Sequence, residues 1–167
     1  AQRLLKQVVT DNELGFEPAN EVKSGTLLEY VLKQKQKYND KVLVVRVGEF
    51  YEAFGIDAIL LVNYCGLNAM GKQVRAGCPT KNLQQTLDSL TENGFSVAVF
   101  EEINDVDMER GPSKSKAKLK QRALTQIVSP SSGTYMYDLC LRSDDIEWHE
   151  GRPFVSIFAS PNGYSIN

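Results

Sequence analysis

The sequence predicts an α/β fold, a mixed β-sheet flanked by α-helices. VLVVRV (Val42–Val47) and FSVAVF (Phe95–Phe100) are short, β-branched and almost wholly apolar, the pattern of strands buried on both faces. Around and between them, apolar residues recur at helical spacing. The expected order is α-β-α-loop-α-β-β-β.

Residues 1–24 read as an N-terminal arm, with a short helix at Gln2–Val9. Thr26 and Glu29 have capping-box spacing, and Leu28, Val31 and Leu32 follow at helical intervals. That helix should end near Asn39, with Lys33, Lys35 and Lys37 on its solvated side. Gly48 closes the first strand. Tyr51, Phe54, Ala58 and Leu61 then fall at i, i+3, i+7 and i+10, which predicts a helix over Phe50–Leu61. On that helix Glu49 and Glu52 would sit at the N-terminus, where negative charge is favoured. Phe50 would lie off the apolar stripe.

Tyr64–Pro79 has glycines and no period, and reads as a loop with a short strand near Gln73–Arg75. Thr80 or Asn82 caps a helix carrying Leu83, Leu87 and Leu90, stopped by Asn93-Gly94. Beyond the second strand, Ala123–Val128 and Tyr135–Leu141 are further strand candidates. Residues 25–135 then form the main domain and 136–151 a linker. Residues 152–167 carry a hairpin signal around SPNG and read as the truncated start of a second domain.

Composition narrows the chemistry. Hydrophobic residues are 42% of the chain, enough for a core, and no apolar run reaches the ~18 residues of a membrane span. Net charge is −2, so overall balance does not point to nucleic acid. SKSKAKLKQR (Ser113–Arg122) nevertheless holds five cations and no anion. Cys65, Cys78 and Cys140 are widely spaced with no CxxC, as reduced thiols of an intracellular protein would be. With His149 as the single histidine, neither a zinc site nor a Ser-His-Asp triad is expected. Gly71-Lys72 lacks the rest of a P-loop, and GxGxxG is absent.

Three functional readings stay open on the residues alone. Phe50, at a strand end with Glu52 two residues on, is either core or an exposed aromatic that wedges between bases or anchors a partner protein. The lysine run is either a solvated loop or a phosphate-contacting segment. Glu49, Glu52 and Asp57 would suit a carboxylate-metal nuclease.

At this point VGEFYEAFGIDA (Val47–Ala58) resembles the GDFYELFxxDA block of MutS-type DNA mismatch-repair proteins. RAGCPTKNLQQTLDSLTENGFSVAVFEEI (Arg75–Ile103) is similar to the family's AGxPxxxxxxYLxxLxxxGxxVAxxEQ block. GPSKSKAKLKQRALTQIVSPSSGT (Gly111–Thr134) resembles its GPVxRxVxxIxTPGT segment. The three blocks stand in order, and GEFYEAFGIDA, YCGLN and RAGCP are most similar to the plant-type organellar branch. The resemblance implies a mismatch-recognition domain with the first hairpin of a connector domain. It implies that Phe50 enters the minor groove and stacks on the mispaired base while Glu52 bonds that base. Near phosphates Glu52 would then be protonated or bonded to a base donor. Lys72, Arg75, Lys118, Lys120 and Arg122 are the expected DNA-backbone contacts.

The resemblance further implies that the fragment is not itself an enzyme and needs no cofactor or metal. The full-length parent would be an ATPase using ATP and Mg, dimeric through later domains. Its partner would be duplex DNA with a mismatch or small loop, not a membrane. Its place would be intracellular: mitochondrion or plastid, with the nucleus as alternative. Two positions depart from the bacterial pattern: Val47 stands where those relatives carry Met, and Gln126 where a basic residue is common.

Overall fold

In the computed structural model, residues 5–6, 8–9, 12–15, 22–70, 74–103 and 120–137 are described, with the backbone of 157–160 and 163–166. The mixed α/β architecture expected from the sequence is present. Helix α1 (Leu27–Lys37) leads into strand β1 (Val42–Val47), β2 (Phe50–Phe54) and helix α2 (Ile56–Cys65). Strand β3 (Arg75–Pro79), a single 3-10 turn (Thr80–Asn82), helix α3 (Leu83–Glu92), β4 (Val97–Glu102) and β5 (Arg122–Val128) follow. The strands form one five-stranded sheet in the order β3-β2-β1-β4-β5. β1 and β4 run parallel and the other neighbours antiparallel. A separate pair, β6 (Ile157–Ser160) and β7 (Gly163–Ile166), forms the expected hairpin.

The capping box at the start of α1 is present. Thr26 accepts from the Glu29 N–H, and Glu29 reaches back to the Gly25 N–H. Tyr30 of α1 and Tyr38 beyond it meet the Phe100 ring edge-on, which fixes α1 on one face of the sheet. On the other face Gln84 of α3 accepts from the Tyr135 N–H, and Cys65 of α2 donates to the Thr86 carbonyl. The core lies between these layers, with Val44, Val45, Leu61, Leu87, Leu90 and Val99 fully enclosed.

The main correction concerns residues 50–61. The segment is not one helix: Phe50–Phe54 is a strand paired on both sides, and α2 begins at Ile56. Gly55, at φ +62, breaks the two apart, and the helical stripe was a coincidence of strand and helix spacings. Gly48 and Glu49 form a two-residue hairpin turn, since Val47 pairs with Phe50. Gly48 has φ +60 and Glu49 does not have positive φ, the requirement of a type II′ turn. Glu49 and Glu52 therefore gain nothing from a helix N-terminus.

Four smaller differences follow from pairing and burial. The expected loop at 64–79 ends in β3, because Arg75–Pro79 completes the β2 edge. Lys35 is buried, not solvated: it donates to Asp57 at 2.8 Å and to the Lys41 carbonyl. Asp57 also accepts from the Leu43 N–H. Within the arm, Leu14 is buried and its carbonyl accepts from the Ile56 N–H, so this piece belongs to the core. Tyr135–Tyr137 lie in no strand, while the linker and the rest of that candidate strand lie outside the described residues.

Candidate functional site

The β1–β2 turn is held from both sides. The Gly48 N–H donates to Glu102 Oε1 at 3.2 Å, and Arg46 Nε donates to the Gly48 carbonyl at 3.1 Å. On the other flank the Thr80 N–H donates to the Glu49 carbonyl at 3.0 Å. Phe50, the first strand residue after this braced turn, is 41% exposed between Val47 and Pro79. It is therefore not a core residue. No free loop carries it, so its direction is set by the sheet.

Strand geometry makes Phe50 and Glu52 neighbours on one face, because side chains repeat every second residue. A helix would have turned them to opposite sides. Glu52 lies between Val45 of β1 and Gly77 of β3 and is 5% exposed. A Cβ at Gly77 would stand 2.5 Å from the Tyr51 carbonyl oxygen and 3.3 Å from Glu52 Cγ, so this position must stay bare.

Arg75 Nη1 lies 3.3 Å from Glu52 Oε2. Among the described residues, neither Glu52 Oε2 nor Arg75 Nε makes a hydrogen bond, although both are buried. Burial pushes the Glu52 carboxyl above the usual range, and the charges of Arg75 and Arg122 act against that rise. A buried carboxylate with open acceptor capacity, beside an exposed aromatic ring, is suited to receive a donor from outside the chain.

The predicted backbone contacts fare differently. Arg122 is spent on the protein. Its Nε donates to the Arg46 carbonyl, Nη1 to the Lys120 carbonyl and Nη2 to Glu102 Oε1, at 2.8, 2.9 and 2.7 Å. Lys120 donates to Glu102 Oε2 at 2.7 Å with a side chain 61% exposed, so its charge reaches solvent. Burial works to raise the Glu102 carboxyl, but Lys120, the Gly48 N–H and Arg122 outweigh it and hold the group below the usual range. Arg75 faces Glu52, and Lys72 and Lys118 lie outside the described residues.

The nuclease grouping of Glu49, Glu52 and Asp57 gains no geometric support. Asp57 is paired with Lys35, and among the described residues no group of three His, Cys, Asp or Glu is arranged to hold a metal ion. Among the described residues no helix is long and apolar enough to cross a membrane. Sequence reasoning missed Glu102 as the anchor of the turn and the fit of Gly77 against Glu52. The Gly77-Cys78-Pro79 triplet and the consecutive acids Glu101 and Glu102 were the available signals.

Comparison with known proteins gives a consistent result. The family model described as MutS domain I matches residues 26–138. The mitochondrial DNA mismatch repair protein MSH1 of Arabidopsis thaliana is 38% identical over 98% of this chain, which covers 15% of that protein. The DNA mismatch repair protein MutS of Thermotoga petrophila is 35% identical over 66% of this chain, covering 13% of its own length. That of Pseudothermotoga lettingae is 29% identical over 82% of the chain and 18% of its own. The chain thus spans less than a fifth of each of these relatives. With three ordered sequence blocks, the mixed sheet and the family match in agreement, the chain belongs to the MutS domain I family.

Proposed function

We propose that this chain recognises mispaired or looped duplex DNA within a larger mismatch-repair protein, with Phe50 as the wedge and Glu52 as the group that meets the displaced base. The observation that carries the reading is the exposed Phe50 ring on a braced turn, with the incompletely bonded Glu52 carboxylate on the same strand face.

A wedge must unstack a base step, which costs a few kcal/mol, and bending the site adds roughly 1–6 kcal/mol. A mispaired step is already weakened, so it opens at lower cost than a matched one. Discrimination then comes from deformability, and a rigidly aimed ring loses less entropy on insertion than a mobile one. Lys120, with Lys118 and Lys72 from the adjoining segments, supplies phosphate contacts. Arg122 instead secures the turn through Glu102. The parent protein hydrolyses ATP with Mg through later domains and dimerises there. The mitochondrial relative supports an organellar location for it.

The test is fluorescence anisotropy of a G·T or one-base-loop duplex against its matched counterpart, over a salt series. Stacking on an aromatic contributes about 1–3 kcal/mol per base, so Phe50→Ala should lower mismatch preference roughly 5- to 150-fold while sparing matched binding. Equal loss on both duplexes overturns the wedge. Absence of DNA binding at low salt favours a protein-interaction module anchored by Phe50, and cleavage dependent on Mg²⁺ or Mn²⁺ favours a nuclease.

A further inference from the structure

Among the described residues Arg75 is the cation within ion-pair distance of Glu52, and its geometry does not resemble that of a phosphate contact. Its Nη1 lies 3.3 Å from Glu52 Oε2 across the β2–β3 ladder, and Arg75 stands two positions along β3 from Gly77, the partner of Glu52. We propose that Arg75 is a positioning residue for Glu52. It holds the carboxylate ionised and aimed along the Phe50 face, so that the group meets bound DNA as a hydrogen-bond acceptor. The proposal rests on the DNA-reading role of Glu52 given above, but its first test does not use DNA.

Three observations converge. Glu52 is 5% exposed, an environment in which a lone carboxylate takes up a proton. The ion pair at 3.3 Å lacks hydrogen-bond geometry, so Oε2 keeps its acceptor capacity while its charge is balanced. Gly77 leaves no side chain between β3 and Glu52, and this close approach gives Arg75 access to the carboxylate. The other neighbours do not replace Arg75. Val45 of β1 is apolar, and Arg122 of β5, the second cation acting on Glu52, is bound to Glu102 and two carbonyls.

With Arg75 removed, the carboxyl takes up a proton at higher pH and becomes a hydrogen-bond donor. The group would then satisfy base acceptors rather than base donors, and the preferred lesions would change with pH.

The first experiment is titration of the Glu52 side-chain carboxyl carbon by NMR in the free chain, for wild type, Arg75→Met and Arg75→Lys. The expected result is a midpoint raised by about one pH unit or more in Arg75→Met, a tenfold change in protonation, and partial restoration by Arg75→Lys. An unmoved midpoint overturns the proposal whatever the chain binds. The second is the pH profile of mismatch preference between pH 5 and 9. Its midpoint should move up with Arg75→Met and return toward the wild-type position with Arg75→Lys. A uniform loss of affinity for matched and mismatched duplexes, with no midpoint shift, would instead make Arg75 a phosphate contact. Loss of all mismatch preference in wild type, with the NMR shift intact, would overturn the DNA reading and leave the Arg75–Glu52 coupling standing.

Discussion

Two buried glutamates sit on opposite faces of the same sheet, and their surroundings differ in kind. Glu101, fully enclosed, is closed off by protein partners. Its Oε1 accepts from the Tyr51 hydroxyl and, at 2.6 Å, from the Tyr135 hydroxyl, and Oε2 accepts from Arg46 Nη1 at 3.2 Å. Thr125, the extra residue of a β-bulge in β5, completes the cluster by bonding the Tyr135 hydroxyl and the Val99 carbonyl. Burial and the Glu101 carboxylate push the Tyr135 phenol far above its usual range, so it remains a donor. Among the described residues Glu52 has one cation at ion-pair distance, loosely placed, and an oxygen without a hydrogen bond. Tyr51 and Glu52 are consecutive, so the strand sends one into a completed network and the next to an incomplete one. The difference teaches where to look for function: a completed polar cluster holds the fold, and an incomplete one beside solvent is available to a ligand.

The same substitution at each site should separate these roles. Glu101→Gln removes the buried charge that a half-buried arginine and two hydroxyls share, and losing hydrogen bonds to a charged group costs about 1.5–3 kcal/mol. Urea unfolding should show that loss, and a change below ~1 kcal/mol would break the contrast. Gly77→Ala comes next. Its methyl group would overlap the Tyr51 carbonyl, and overpacking of this kind costs about 1–3 kcal/mol. Because the displaced backbone carries Glu52, mismatch preference should fall along with the urea midpoint.

Glu52→Gln should have the smallest effect and the opposite sign. The folded-state value of Glu52 lies above that of an ordinary glutamate, so its proton-linked stability is present below the ordinary value and is lost as pH rises through the folded one. Glutamine has no such loss, so the variant should gain on wild type between pH 4 and 7, by less than ~1 kcal/mol. Urea unfolding at the two pH values measures it. A loss like that of Glu101→Gln would make Glu52 a structural carboxylate.

The legible parts of the fold were those set by local pattern. β1 and β4 were visible as apolar runs, α1 by its capping box and α3 by its leucine spacing and the Asn93-Gly94 stop. Residues 50–61 were misread because Tyr51 and Phe54 satisfy helical spacing as well as strand burial, and only the partners on β1 and β3 decide between them. Lys35 was misplaced for a related reason. A lysine on a helix is solvated unless a distant acid meets it, and Asp57 lies 22 residues away. Phe50 and Glu52 were picked out as a pair by residue type and spacing, yet their common face required the strand.

By itself, then, the sequence determined the α/β class, the buried strands, the capped helices and the family blocks, because these depend on residues close together in the chain. Tertiary structure alone decided that Phe50 reaches solvent, that Glu102 and Arg122 brace its turn, and that Arg75 meets Glu52. Those outcomes depend on which strands lie side by side, and strand pairing brings together charges that are far apart in the chain and whose burial no local pattern encodes.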